Sequence, residues 1–148
     1  MRAVIQRVKN ASVTIESELY SSIDRGYLVL FGAEKGDTKT QADWLANKLS
    51  VLRCFPDNEG KMNLSIKDVN GEMLIVSQFT LCTDIRKGTR PSFDNAMKPD
   101  EANEMYEYFI SKIKESNIPV KTGVFGAHMD VNLLNDGTVT FVLQAPLL

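Results

Sequence analysis

The chain predicts a layered α/β fold, in which two helices cover one sheet and strand faces pack against each other elsewhere. Three observations carry this. Period-two alternation opens and closes the sequence, two segments with helical spacing lie between those ends, and apolar runs at 27–31 and 73–76 have the character of strands covered on both faces. With 148 residues, 43% of them hydrophobic and 24% charged, the chain can fill one core and leaves little room for a second. Residues 1–148 therefore read as one domain.

Residues 2–9 place Ala3, Ile5 and Arg7 on one side and Val4, Gln6 and Val8 on the other. Val13 and Ile15 resume the period after Asn10, which predicts two opening strands. Tyr27-Leu28-Val29-Leu30-Phe31 is the next strand. A helix should follow Thr38, because Thr38-Lys39-Thr40-Gln41 fits a capping box in which hydroxyl and amide each satisfy an orphan N–H. Ala42, Leu45, Leu49 and Leu52 share its apolar face, and Pro56 closes the segment. Residues 72–79 read as a central strand that turns polar at Ser77. The second helix begins near Pro99, with Asp100 and Glu101 against the positive end of its dipole. Ala102, Met105, Tyr106, Phe109, Ile110 and Ile113 form its buried stripe, and Asn117 and Pro119 end it. Two last strands, 128–134 and 139–144, flank Asn135-Asp136-Gly137-Thr138, a strong signal for a tight hairpin.

Composition excludes several classes of function. No apolar run approaches the ~18 residues of a membrane helix, and the first residues carry no leader-like segment, so the predicted compartment is the cytoplasm and no membrane partner is expected. Cys54 and Cys82 lie far apart with no C-x-x-C spacing and read as reduced, buried small hydrophobes. A net charge of −2 excludes a protein that coats nucleic acid by bulk electrostatics, so any RNA contact must be local.

The residues that suit chemistry cluster late in the central strand. Ser77-Gln78-Phe79-Thr80-Leu81 puts hydroxyls and an amide at a strand's carboxyl end, where α/β sheets bind ligands and where such groups can hold a carbonyl or an oxyanion. An ordinary strand-end turn would use the same residues. The following loop packs Arg86, Lys87 and Arg90 beside Gly88, Pro91 and Phe93. These types suit phosphate contact with stacking, and their position just after the polar strand end favours RNA contact over a solvated surface loop. His128 is the only histidine; with no second histidine or nearby cysteine it makes no metal site, and no cofactor is expected.

In combination these pieces resemble the D-aminoacyl-tRNA deacylase (D-tyrosyl-tRNA(Tyr) deacylase) family, nearly end to end. The matching stretches are residues 1–8 (Met-Arg-Ala-Val-Ile-Gln-Arg-Val), Gly36-Asp37-Thr38 and Gly60-Lys61-Met62-Asn63-Leu64-Ser65. They continue through Ser77-Gln78-Phe79-Thr80-Leu81, Arg86-Lys87-Gly88, Arg90-Pro91-Ser92-Phe93, Thr122-Gly123, Phe125-Gly126-Ala127 and Asn135-Asp136-Gly137. The resemblance implies an α/β/β layered homodimer that cleaves the ester joining a D-amino acid or glycine to the 3′-terminal adenosine of tRNA. It implies Ser77, Gln78 and Thr80 as the catalytic strand end and Phe79, Phe125 and Met129 as pocket walls. It also implies catalysis by backbone groups and the RNA 2′-hydroxyl, with no metal. Arg7 would help fix the loop adjoining the pocket, and Gly137 and Thr138 stand where the family has the dipeptide that reaches across the dimer into the partner's pocket to exclude L-amino acids.

At that dipeptide the chain departs from the family, which carries Gly-Pro with a cis bond. A cis bond costs ~0.5–1 kcal/mol before proline but ~2.5–4 kcal/mol before other residues, so Gly137-Thr138 is expected to be trans. Two other functions stay compatible with the residues: a small-molecule esterase, which needs a base near Thr80, and a dimeric RNA-end-binding module, which needs the cations but no hydroxyls.

Overall fold

In the computed structural model, which describes residues 1–146, the opening alternation builds one strand and not two. β1 runs unbroken over Arg2–Ile15. It turns through Glu16 and Ser17, both at positive φ (50° and 65°), into β2 (Glu18–Ile23). That two-residue hairpin carries neither Asn nor Gly, so its sequence gave no turn signal.

The first half of β1 pairs antiparallel with β3 (Gly26–Gly32), which runs parallel to β6 (Glu72–Ser77), which in turn runs parallel to β7 (Val120–Thr122). β4 (Arg53–Pro56) and β5 (Met62–Ser65) form a separate small hairpin. The two helices are α1 (Lys39–Val51) and α2 (Pro99–Glu115). The capping box of α1 forms as its sequence requires: the Thr40 N–H donates to Thr38 Oγ1 at 3.3 Å, and the Thr38 N–H donates to Gln41 Oε1 at 2.8 Å.

The alternation in β3 and β6 sorts side chains into two cores. Tyr27, Val29, Phe31, Met73 and Ile75 face the helices, where Leu45, Leu49, Phe109 and Ile113 meet them and Phe31 stacks on Phe109 at 4.7 Å. Leu28, Leu74 and Val76 face the other way, onto Val8, Ala11, Val13 and Ile23. Burial of each such side chain contributes about 1.5–3 kcal/mol, so both faces hold the sheet and the layered expectation is met.

The expected C-terminal hairpin does not form. β8 is one strand, Asp130–Gln144, and β1 is long enough to pair with both of its halves. Asn135 pairs with Val8 and Thr140 with Gln6, so only Arg7 stands on β1 opposite residues 136–139 of β8. Asp-Gly thus makes a wide bulge, not a chain reversal. The Gly137-Thr138 bond within it is cis, not trans as the threonine led us to expect. The trans preference belongs to an isolated dipeptide, whereas this one is tied at both flanks by side chains described below. β6 also ends at Ser77, two residues short of the expected limit, and β8 begins after His128. Among the described residues no helix is long and apolar enough to cross a membrane, and both cysteines are buried and free.

Candidate active site

Because β3 and β6 are parallel, their carboxyl ends open on the same side. The Gln78 N–H donates to the Phe31 carbonyl at 2.7 Å, and a 3-10 turn at Phe79–Cys82 then swings the chain aside. Here a cleft of about 720 Å³ opens, within the range of small-molecule sites. Ser77, Gln78 and Phe79 form one wall, Phe125 and Met129 a second, and residues 93–102 a third. Phe79 meets Phe93 edge-on at 5.0 Å, an apolar platform suited to a base or an aromatic ring. The Gln78 side-chain amide donates to Thr80 Oγ1, and the Thr83 hydroxyl donates to the Thr80 carbonyl. Thr80 itself lies beyond the lining, joined to it through Gln78.

The supports of these walls were not legible in advance. Tyr106 is buried, donates its hydroxyl to the Ile75 carbonyl at 2.6 Å and is held far above the usual phenol pKa by burial. Its ring stands 6.0 Å from Phe125, so one residue braces both β6 and the second wall. Gly123 leaves room for Met129, whose Sδ would lie 2.5 Å from a Cβ at that position.

No nucleophile–base pair is present among the described residues. Ser77 and Thr80 have no hydrogen bond to a carboxylate or an imidazole. His128 lines the cleft, yet its side chain is 95% exposed and its nearest carboxylate is Asp130 at 3.8 Å. Among the described residues no group of three histidine, cysteine or carboxylate side chains could hold a metal ion. The Ser77 hydroxyl and the Gln78 amide are what the strand end offers a carbonyl in the cleft.

Arg7 is buried away from this cleft. It donates from Nη1 to the Cys54 carbonyl at 2.6 Å and from Nε to the Asp136 carbonyl at 3.0 Å, and lies 3.5 Å from the Asp136 carboxylate. Asn135, where the bulge begins, binds Val139, where it ends. Gly137 and Thr138 are exposed on the bulge and do not line the chain's own cleft. Arg86, Lys87 and Arg90 also lie outside it, on a loop closed by the Asp84–Ser92 bridge. Arg86 is spent on its own loop: it binds Asp84 at 2.7 and 2.9 Å and pulls that carboxyl down to about 2. The cations on the cleft rim are Lys35 and Lys98, which sequence reasoning passed over.

This architecture is shared. The D-Tyr-tRNA(Tyr) deacylase family model matches residues 4–144. A protein of Geotalea daltonii described as a D-aminoacyl-tRNA deacylase is 56% identical over 99% of this chain and 97% of its own length. One of Geobacter sp. strain M21, described in the same words, is 54% identical over 99% and 98%. The solved structure of a c-Myc DNA unwinding element binding protein superposes with a TM-score of 0.93 at 40% identity, covering 99% of this chain and 100% of that one. With a match of this extent, the chain belongs to the D-Tyr-tRNA(Tyr) deacylase family.

Proposed function

We propose that the chain hydrolyses the ester between a D-amino acid, or glycine, and the 3′-terminal adenosine of tRNA, as a cytoplasmic homodimer without metal or cofactor. The observation that carries this is the cleft at the carboxyl end of β6, where Ser77, Gln78 and Phe79 face Phe125 and Met129 and neither Ser77 nor the adjoining Thr80 has a base bonded to its hydroxyl. Water attacks the ester carbonyl, the bond to the 3′-oxygen breaks, and the water proton passes to that oxygen with help from the neighbouring 2′-hydroxyl. Ser77 and Gln78 hold the developing oxyanion, and Thr80 orients the Gln78 amide that does so. Phe79 supports the adenosine, and Phe125 and Met129 bound the amino acid.

A second copy completes the site. Gly137 and Thr138 reach no wall of their own cleft, and β8 pairs only with β1, leaving its other edge open with Leu134 51% and Val142 79% exposed. An open 15-residue edge of this kind invites pairing with another chain. Arg7 then acts as the brace that holds the inserted dipeptide.

The relative named for a DNA element raises DNA as a second ligand. A net charge of −2 gives no duplex-wide attraction, and a cleft with an aromatic platform favours a single-stranded end.

Release of D-tyrosine from D-tyrosyl-tRNA, with chelator present, against release from the D-tyrosine methyl ester, is the deciding comparison. Hydrolysis of the tRNA ester alone is expected. Equal rates on both would mean a general esterase, binding without turnover an RNA-end module, and zinc-restored activity a metal site.

A further inference from the structure

The cations that the cleft presents are not the ones that its flanking loop advertises. Beyond β3 the chain stays extended, and Glu34 pairs with Ala96 in an antiparallel bridge. The Lys35 N–H donates to the Asn95 carbonyl at 2.9 Å, and the Met97 N–H donates to the Ala33 carbonyl at 3.0 Å. This pairing brings Lys35 and Lys98 to the rim of the cleft that Ser77 and Gln78 line. Both are exposed, and among the described residues neither ammonium has a carboxylate within 4.0 Å. One acidic side chain, Asp94, shares the lining, so two cations stand against one anion there. Arg86, by contrast, is already paired with Asp84 outside the cleft.

We propose that Lys35 and Lys98 form a phosphate subsite, which holds the phosphodiester on the 5′ side of the terminal adenosine while the acylated ribose lies at Ser77 and Gln78. The assignment rests on the deacylase function proposed above and adds its anchoring residues. Asp94 is the one carboxylate in the lining, so an anion is the ligand group that the two unpaired ammonium groups there would select. A single phosphodiester also suits a protein whose overall charge gives no long-range attraction.

Two measurements test it on the full-length protein. Calorimetry with AMP and with adenosine reads the subsite without any turnover. The wild type should bind AMP about tenfold more tightly than adenosine, and Lys35→Ala/Lys98→Ala should lose most of that preference. Kinetics with D-tyrosyl-tRNA and with 3′-O-D-tyrosyl-adenosine, which lacks the phosphate, read its use. The double variant should lose about tenfold more kcat/KM on the tRNA than on the adenosine ester, through KM, with a flatter salt dependence. Lys98→Arg should keep most of the affinity for AMP. Equal wild-type affinity for AMP and adenosine, or equal losses on the two esters, overturns the subsite. If no D-aminoacyl ester is hydrolysed while the lysine-dependent preference for AMP persists, the deacylase function fails and the subsite stands.

Discussion

Asn135 grips both polar groups of Val139: its Oδ1 accepts the Val139 N–H at 2.8 Å, and its Nδ2 donates to the Val139 carbonyl at 3.2 Å. A side chain thereby supplies the partners that a neighbouring strand would supply, and residues 136–138 are held out of the ladder. Asn135→Ala should cost about 1–2 kcal/mol of stability. On the proposed function it should also lower discrimination against L-aminoacyl-tRNA more than turnover of the D-substrate. Asn135→Asp should do no better, because it sets a carboxylate oxygen against the Val139 carbonyl. An equal fall in both substrates would make Asn135 a stability residue only.

Arg7 ties the start of the same bulge to Cys54 in β4. Arg7→Ala strands the buried Cys54 carbonyl and the half-buried Asp136 carbonyl, and about 3 kcal/mol of stability should go with it. Arg7→Lys, which can keep one of the two contacts, should recover part of this in urea denaturation. A loss below ~1 kcal/mol for Arg7→Ala would mean that water replaces the guanidinium.

The sequence revealed the layers better than the connections between them. The stripes of both helices, the capping box at Thr38 and Gln41, and the doubly apolar strands at 27–31 and 73–76 were all readable, because burial imposes a period on them. The bulge at 136–139 was misread as a hairpin, since Asp-Gly serves either turn and only the length of β1 decides. Lys35 and Lys98 were invisible for a different reason. They lie 63 positions apart, 98 minus 35, and meet only through an isolated bridge with no pattern of its own. The strand end at Ser77 and Gln78 was legible, whereas its supports Tyr106 and Gly123 look like ordinary helix and turn residues.

The Asp84 carboxyl is held down to about 2, first by the Arg86 side chain and then by the Arg86 N–H. A lowered folded value means that the contact stabilises the loop above the ordinary carboxylate value of about 3.9 and is lost as the pH falls towards 2. In Arg86→Ala, carboxyl NMR should show Asp84 titrating higher but still below the ordinary value, because the backbone donor remains. The same variant should flatten the salt dependence of tRNA binding less than Lys87→Ala or Arg90→Ala. Equal effects of all three would show that Arg86 leaves Asp84 for phosphate.

Gly123→Ala drives a methyl group to within 2.5 Å of Met129 Sδ. Backbone cannot move cheaply there, but an unbranched thioether can, so the fold should survive and Met129 should swing into the cleft. KM should then rise more for D-tyrosyl-tRNA than for glycyl-tRNA. If the two rise together, the amino acid does not lie against Met129.

Thr80 decides what kind of catalyst this is. Its hydroxyl accepts from Gln78 and has no base to take its proton, so it is poorly placed to attack and well placed to orient the amide beside Ser77. Removing a true nucleophile should cost about 10⁴-fold or more in kcat, whereas removing an orienting hydroxyl should cost far less. Thr80→Ala is therefore expected to lose about 10–100-fold, with Thr80→Ser close to wild type. Gln78→Ala, which removes both the donor and the lining amide, should lose at least as much as Thr80→Ala. A tRNA whose terminal ribose lacks the 2′-hydroxyl should be deacylated far more slowly by the wild type and by Thr80→Ala alike, since assistance would come from the RNA. Mass spectrometry of the enzyme quenched during turnover closes the argument: an acyl group recovered on Thr80 would place the nucleophile on the protein and end the case for assistance by the substrate.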